Sequence, residues 1–186
     1  MALLRPRVWL LWLGLAMALL AVESPCARAA PSEYQVKAVF LFNFAQFVDW
    51  PAEAFPHPDT PFVIGVLGPD PFGPQLDEVV RGETVNKRTL VVERYRSVAE
   101  IRNCNILFIG STEGEHLDEI LTALKGRSIL TVGDANPGGQ RGVMIQLVNE
   151  NNRIRLRINV AAAKAGNLTI SSKLLRPAEI VGPGEG

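Results

Sequence analysis

Residues 34–51, YQVKAVFLFNFAQFVDWP, leave this chain few ways to fold. The run is densely apolar, and its polar members Lys37, Asn43, Gln46 and Asp49 are spaced by three or six, nearer the helical period than the two-residue period of a strand. The spacing predicts a helix. On an ideal helix Val36, Phe40, Phe44, Phe47 and Val48 line one face, while Tyr34, Ala38, Leu41 and Ala45 widen it toward a half-cylinder, so the element is buried over much of its surface. Ser32 is placed to cap the N-terminus. Pro51 cannot continue the helix and pushes Trp50 out of helical geometry, which sets the expected end at the tryptophan.

The chain beyond Pro51 supplies a sheet for that helix to pack on. Residues 62–67 are a nearly continuous apolar run closed by Gly68, and residues 88–93 (RTLVVE), 104–109 (CNILFI) and 128–132 (SILTV) also read as strands. Between them lie a short helix over 75–81, a helical turn over 98–102, and a helix with Leu117, Ile120, Leu121 and Leu124 at i, i+3, i+4 and i+7. Ser111 or Thr112 is expected to cap that helix, and Gly126 to end it. Apolar strands alternating with helices indicate an α/β fold in three layers, a central mostly parallel sheet of about five strands with helices on both faces.

After Gly133 the pattern changes. Residues 143–158 carry two alternating runs about an Asn-rich turn, which predicts an antiparallel hairpin at an edge of the sheet. In its second run Ile154, Leu156 and Ile158 alternate with Arg153, Arg155 and Arg157, leaving one clearly polar face. Such a face fits either a solvated edge that deters aggregation or a docking surface for an acidic partner. Asn159 is placed to cap a short helix over 160–165, and Ser171 to cap a last helix that Pro177, six residues later, should break or displace.

Residues 1–29 read as a cleavable signal peptide. Arg5 and Arg7 precede an uncharged run of 15 residues, 8–22, and the leader ends in small residues with Ala27 and Ala29 as the cleavage pair. The run is short for a membrane span of roughly 20 residues. Export to the periplasm is the resulting expectation, with a single domain over 30–181 and a flexible tail over 182–186. Cys26 leaves with the leader, so the remaining chain holds Cys104 as its one cysteine, and stability must come from a core instead of a disulfide. Without Arg5, Arg7, Arg28 and Glu23, the 19 basic and 19 acidic residues become 16 and 18, a net charge of about −2 that does not suggest nucleic-acid binding.

The residues that could carry chemistry do not assemble into a catalytic or metal pattern. The chain has two histidines and no Cys/His cluster, so the common zinc patterns are missing, and no Gly-x-Ser-x-Gly elbow is present. His57 lies between two prolines in a polar loop, and His116 lies among Glu113, Glu115, Asp118 and Glu119 on a face opposite Leu117 and Leu121. Both read as solvated. The loop GPDPFG between strand and helix invites a phosphate-cradle reading, yet Pro69 and Pro71 lack N–H groups and nothing completes a Walker pattern. No enzyme activity and no cofactor is expected.

The motifs KAVFLFNFAQFVDWP, Gly68-x-Asp70-Pro71-Phe72-Gly73, CNILFI, ILTVGD, GVMIQLV, RLRINVAAAKAG and LTISSKLLR succeed one another over about 150 residues. In kind and order this resembles the YfiR-like family of bacterial periplasmic proteins. The resemblance implies a non-enzymatic periplasmic regulator that binds the periplasmic region of an inner-membrane diguanylate cyclase and represses it, controlling cyclic-di-GMP and biofilm formation. It further implies an outer-membrane lipoprotein of the OmpA type as a sequestering partner, and it allows a homodimer. A periplasmic small-molecule-sensing domain is the alternative. Three departures stand out: Gly65 replaces a cysteine that often pairs with the one at 104, the loop over 134–141 lacks a cysteine pair found in some relatives, and Pro177 replaces a leucine.

A repressor needs a surface formed before binding, with polar residues on rigid elements beside apolar ones. Arg153, Arg155 and Arg157, together with Ser171, Ser172, Lys173, Leu175 and Arg176, meet that description. They are the candidate partner-binding residues, read as one surface.

Overall fold

The computed structural model describes residues 31–135 and 142–182; the expected signal peptide, residues 136–141 of the glycine-rich loop and the tail beyond Gly182 lie outside the described residues. The first helix, α1, runs Glu33–Phe47. Ser32 caps it in a reciprocal box: its hydroxyl accepts from the Gln35 N–H while the Gln35 side chain accepts from the Ser32 N–H.

Two expectations about α1 need correction. It ends at Phe47, not Trp50, because Val48 is already extended at φ −120° and begins a strand, β1 (Val48–Asp49). This strand pairs antiparallel with β9 (Thr169–Ile170), and the Ser171 N–H donates to the Phe47 carbonyl at 2.9 Å. Backbone groups that a further helical turn would have used are thus taken by a distant segment. The buried face is also rotated: Lys37, Ala38, Leu41, Phe44 and Ala45 are buried, whereas Phe40 and Phe47 pack against the core half-buried. Trp50 is anchored nonetheless, its indole N–H donating to the Asn105 carbonyl at 3.2 Å and its ring standing edge-on to Phe62 at 4.8 Å.

The remaining elements alternate as expected. They are β2 (Phe62–Leu67), α2 (Pro74–Val80), β3 (Thr84–Val85), β4 (Arg88–Tyr95), β5 (Ile106–Ile109), α3 (Leu117–Leu124), β6 (Leu130–Ala135), β7 (Ile145–Glu150), β8 (Arg153–Ile158), α4 (Val160–Ala165), α5 (Ser172–Leu175) and β10 (Glu179–Ile180). Among the described residues the main sheet has eight strands in the order β10-β8-β7-β6-β5-β2-β4-β3. The excess over five comes chiefly from the two-residue strands at its ends. β3 folds back on β4 through Asn86 and Lys87, both at positive φ, and β10 lies parallel to β8. The five strands from β7 to β4 are mutually parallel. The β7–β8 hairpin has six registered pairs and turns at Asn151 and Asn152, also at positive φ, as its Asn-rich turn predicts.

Two apolar clusters lie on the two faces of the sheet. One gathers Leu41 and Phe44 of α1 with Leu76 of α2, Ala163 of α4, Leu174 of α5 and the inward residues Ile64, Phe108, Val132, Ile145 and Leu156. The other packs Leu117, Ile120 and Leu124 of α3 on Leu67, Leu107 and Ile109. Helices thus cover both faces, which is why β2 and β5 are buried along their whole length. Neither Ser111 nor Thr112 caps α3; a 3₁₀ segment, Ser111–His116, leads into it after Gly110 without a side-chain cap. Asn159 does cap α4, accepting from the Ala162 N–H at 2.9 Å. Helix α5 stops at Leu175, before Pro177, as the proline demands. No helix among the described residues is long and apolar enough to cross a membrane.

Candidate functional site

The candidate docking residues sit at the β8 end of the sheet, and the fold brings them to one edge without merging them into one face. Ile154, Leu156 and Ile158 point toward the α1 side, so strand alternation sends Arg153, Arg155 and Arg157 to the opposite side. Arg153 and Arg155 are exposed, and no ion pair holds either among the described residues. Arg157 is held: it donates to Glu179 of β10 at 2.8 Å and lies 3.8 Å from Glu150. The second segment is on the α1 side, where Leu174 is buried and Leu175 packs half-buried against the core. The Ser171 hydroxyl caps α5, accepting from the Lys173 N–H at 3.3 Å, while Ser172, Lys173 and Arg176 face solvent. Strand β10 comes after α5 and pairs with Arg157 and Ile158, so it links the two groups around the edge. Residues 153–156 of β8 have no strand neighbour on their outer side among the described residues.

A second group of polar residues, at the start of α1, escapes a reading by sequence motif. Lys37 of α1 is only 3% exposed, and its ammonium donates to the Asp134 carboxylate at 2.6 Å and pairs with Glu33 one turn earlier. It also lies over the Tyr34 ring, 4.7 Å from its centre. The Tyr34 hydroxyl donates to the other Asp134 oxygen at 3.0 Å, and Asn149 at the end of β7 donates to Glu33 at 2.6 Å. The hydrogen bond from Lys37 holds the Glu33 carboxyl below its ordinary range. Burial, then the neighbouring Asp134 charge, raises the Tyr34 phenol to about 12. The signal was present: a lysine inside an apolar run four residues after a glutamate, and an aspartate closing an apolar strand.

This cluster borders a cavity of about 160 Å³ lined by Tyr34, Pro69, Asp70, Pro71, Gly110, Ser111, Thr112 and Asp134. It lies at the carboxyl ends of β2 and β5, whose onward connections to β4 and β6 run to opposite sides of the sheet, the usual ligand position in open α/β sheets. Its tyrosine hydroxyl and both its carboxylates are nevertheless occupied internally. Lys37 and Tyr34 take both Asp134 oxygens. Asp70 accepts from the Phe72 and Gly73 N–H groups at 2.7 and 3.2 Å and from Arg94 at 2.7 Å. Those two N–H groups are ones a phosphate cradle would need, so the GPDPFG loop is a turn. Gly68 stands there at φ +86°, and a Cβ at that position would meet the Glu113 carboxylate at 2.6 Å. No group of three or more metal-ligating side chains occurs among the described residues. The cluster therefore fixes the start of α1 to β6 and β7.

Cys104 is buried and unpaired, its thiol donating to the Ile106 carbonyl at 3.0 Å, and burial pushes its pKa up to about 12. It faces Gly65 of β2. A Cβ built at Gly65 would lie 2.8 Å from the Cys104 sulfur, near the roughly 3 Å expected across a disulfide. The same Cβ would press on Tyr95 Cε2 at 2.6 Å.

Comparison with protein families matches residues 34–179 to the YfiR/HmsC-like family, from the first turn of α1 to β10. The chain belongs to the YfiR/HmsC-like family. The match includes the Lys37–Asp134 pair and all eight candidate docking residues. It makes the protein a member of a regulatory, non-catalytic family connected with cyclic-di-GMP signalling. No curated protein matches the chain.

Proposed function

We propose that this YfiR/HmsC-like protein acts in the periplasm, where it binds the periplasmic region of an inner-membrane diguanylate cyclase and represses it. Cyclic-di-GMP then falls, and biofilm formation with it, without contact between the protein and the nucleotide. An outer-membrane lipoprotein of the OmpA type is the proposed sequestering partner, which would lift repression by competing for the regulator.

The observation that carries this reading is family membership across residues 34–179. It is supported at the β8 edge, where Arg153 and Arg155 stand exposed without acidic partners among the described residues, on a strand six of whose residues are registered against β7. Arginine on a preformed element suits an acidic docking partner at little conformational cost. The leader order of residues 1–29 supports export.

Affinity capture from detergent-solubilised membranes, using the mature chain as bait, tests the proposal. Recovery of a transmembrane diguanylate cyclase, together with a rise in cellular cyclic-di-GMP when the gene is deleted, is the expected result. Capture lacking any cyclase, with cyclic-di-GMP unchanged on deletion, would overturn it.

A further inference from the structure

A groove of about 420 Å³ opens at the amino ends of the central strands, far along the sheet from the Lys37–Asp134 cluster. Four segments form it. Pro51, Glu53, Ala54 and Pro56 come after β1, Arg102 and Asn103 precede β5, Arg127 and Ser128 precede β6, and Asn167 lies between α4 and β9. Its volume is in the range of small-molecule sites.

The polar lining is one-sided. Arg127 donates to the Arg102 carbonyl at 2.8 Å, which joins the two loops and holds its guanidinium half-buried beside the groove. Neither Arg102 nor Arg127 has a carboxylate partner among the described residues, in contrast to Arg94, which is clamped by Asp70 and Asp77. The Asn103 amide and Ser128 hydroxyl also have no partner among the described residues. Glu53 is the single acid in the lining, and it forms no ion pair with either arginine. Two guanidiniums with free N–H groups, flanked by an amide and a hydroxyl, match an oxyanion, and arginine pairs with planar carboxylates through two parallel hydrogen bonds. The groove is much larger than one anion, and Pro51, Ala54 and Pro56 offer an apolar wall for the rest of a ligand.

We propose that this groove binds a small organic carboxylate, its anionic group between Arg102 and Arg127 and its apolar body against the 51–56 loop. Binding there would tie three of these segments together, next to Trp50, which is anchored just after α1. The proposal does not depend on the cyclase reading, and the two can fail separately.

Benzoate titrated into the ¹⁵N-labelled mature protein, monitored by amide chemical shifts, tests it. Shifts should centre on residues 102–104 and 126–129. Benzamide, which keeps the shape and loses the charge, should bind at least about tenfold more weakly, as expected for loss of a charged hydrogen bond. Arg127→Gln should weaken benzoate by a similar factor. Arg102→Gln should do so too, and because the exposed Arg102 guanidinium makes no hydrogen bond or ion pair among the described residues, its loss leaves the fold intact. Glu53→Gln should tighten binding. Absence of shifts at millimolar benzoate, equal binding of benzamide, or unchanged affinity in Arg102→Gln would each overturn the assignment.

Discussion

Lys37 shows how a residue's helical period can be legible while its place is not. Its position marks α1 as helical, yet it points inward because Asp134, nearly 100 residues later, waits at the end of β6. Removing one partner leaves the other charge buried without compensation. Lys37→Met should therefore destabilise the protein by about 3–5 kcal/mol, and the double variant Lys37→Met/Asp134→Leu should recover much of that loss; urea denaturation measures both. Tyr34 adds a pH signature. Its folded pKa of about 12 exceeds the unfolded value near 10, so the stabilisation is complete below pH of about 10 and is lost as pH rises toward 12. Glu33 works in the opposite direction, since its lowered pKa gives stability that is present above the ordinary carboxylate range and lost as acid protonates it. Gly65 is the other informative residue. Gly65→Cys should form a bridge with Cys104 in air, seen as no free thiol in the unfolded protein, and the Tyr95 ring must shift to admit it. Two titratable thiols would show that the ring, held through its hydroxyl to Glu93 and the Asn103 carbonyl, does not yield.

At the scale of elements, α1 is the piece on which one whole face of the sheet closes. Phe44 is fully buried in its centre, tilted against Phe40 at 6.1 Å. Phe44→Ala should cost about 3–5 kcal/mol by calorimetry or denaturant titration, whereas Val39→Ala at an exposed position should stay within about 0.5 kcal/mol. A small effect at Phe44 would remove the central role given to this helix. The helical period was legible because the polar residues Lys37, Asn43, Gln46 and Asp49 are spaced by three or six. The end was not, since Val48 and Asp49 are equally acceptable to a helix and to a strand, and the choice is made by Thr169 and Ile170. The same holds for β10, too short to carry a pattern of its own, which exists because Ile158 offers a carbonyl to the Val181 N–H.

For the whole molecule, the arrangement of the β8 edge changes what a docking experiment should show. Arg155 and Arg176 lie on different sides of the sheet, joined only around β10, and neither makes an ion pair among the described residues. Arg155→Glu and Arg176→Glu should each leave stability within about 1 kcal/mol, as exposed charges do. If a partner wraps the edge, each reversal alone weakens repression and the pair abolishes it; if it docks on one side, a single reversal carries the whole effect. Cyclic-di-GMP measured in complemented deletion strains separates the cases, and full repression by the double variant would remove the edge from consideration.

Alternation of apolar runs and helical periods was enough to specify an α/β chain with a mostly parallel sheet, an Asn-turned hairpin, the caps at Ser32, Asn159 and Ser171, and a helix interrupted at Pro177. These are local properties, set by side-chain period, caps and proline sterics within a few residues. Tertiary structure alone decided the rotation of α1 that buries Lys37, the β1–β9 pairing that shortens it, and the separation of the two docking segments onto opposite faces. Each depends on which distant groups meet. A lysine inside an apolar run is buried only if a carboxylate arrives to pair with it, and residues close in sequence share a surface only if the strand between them leaves both on one side.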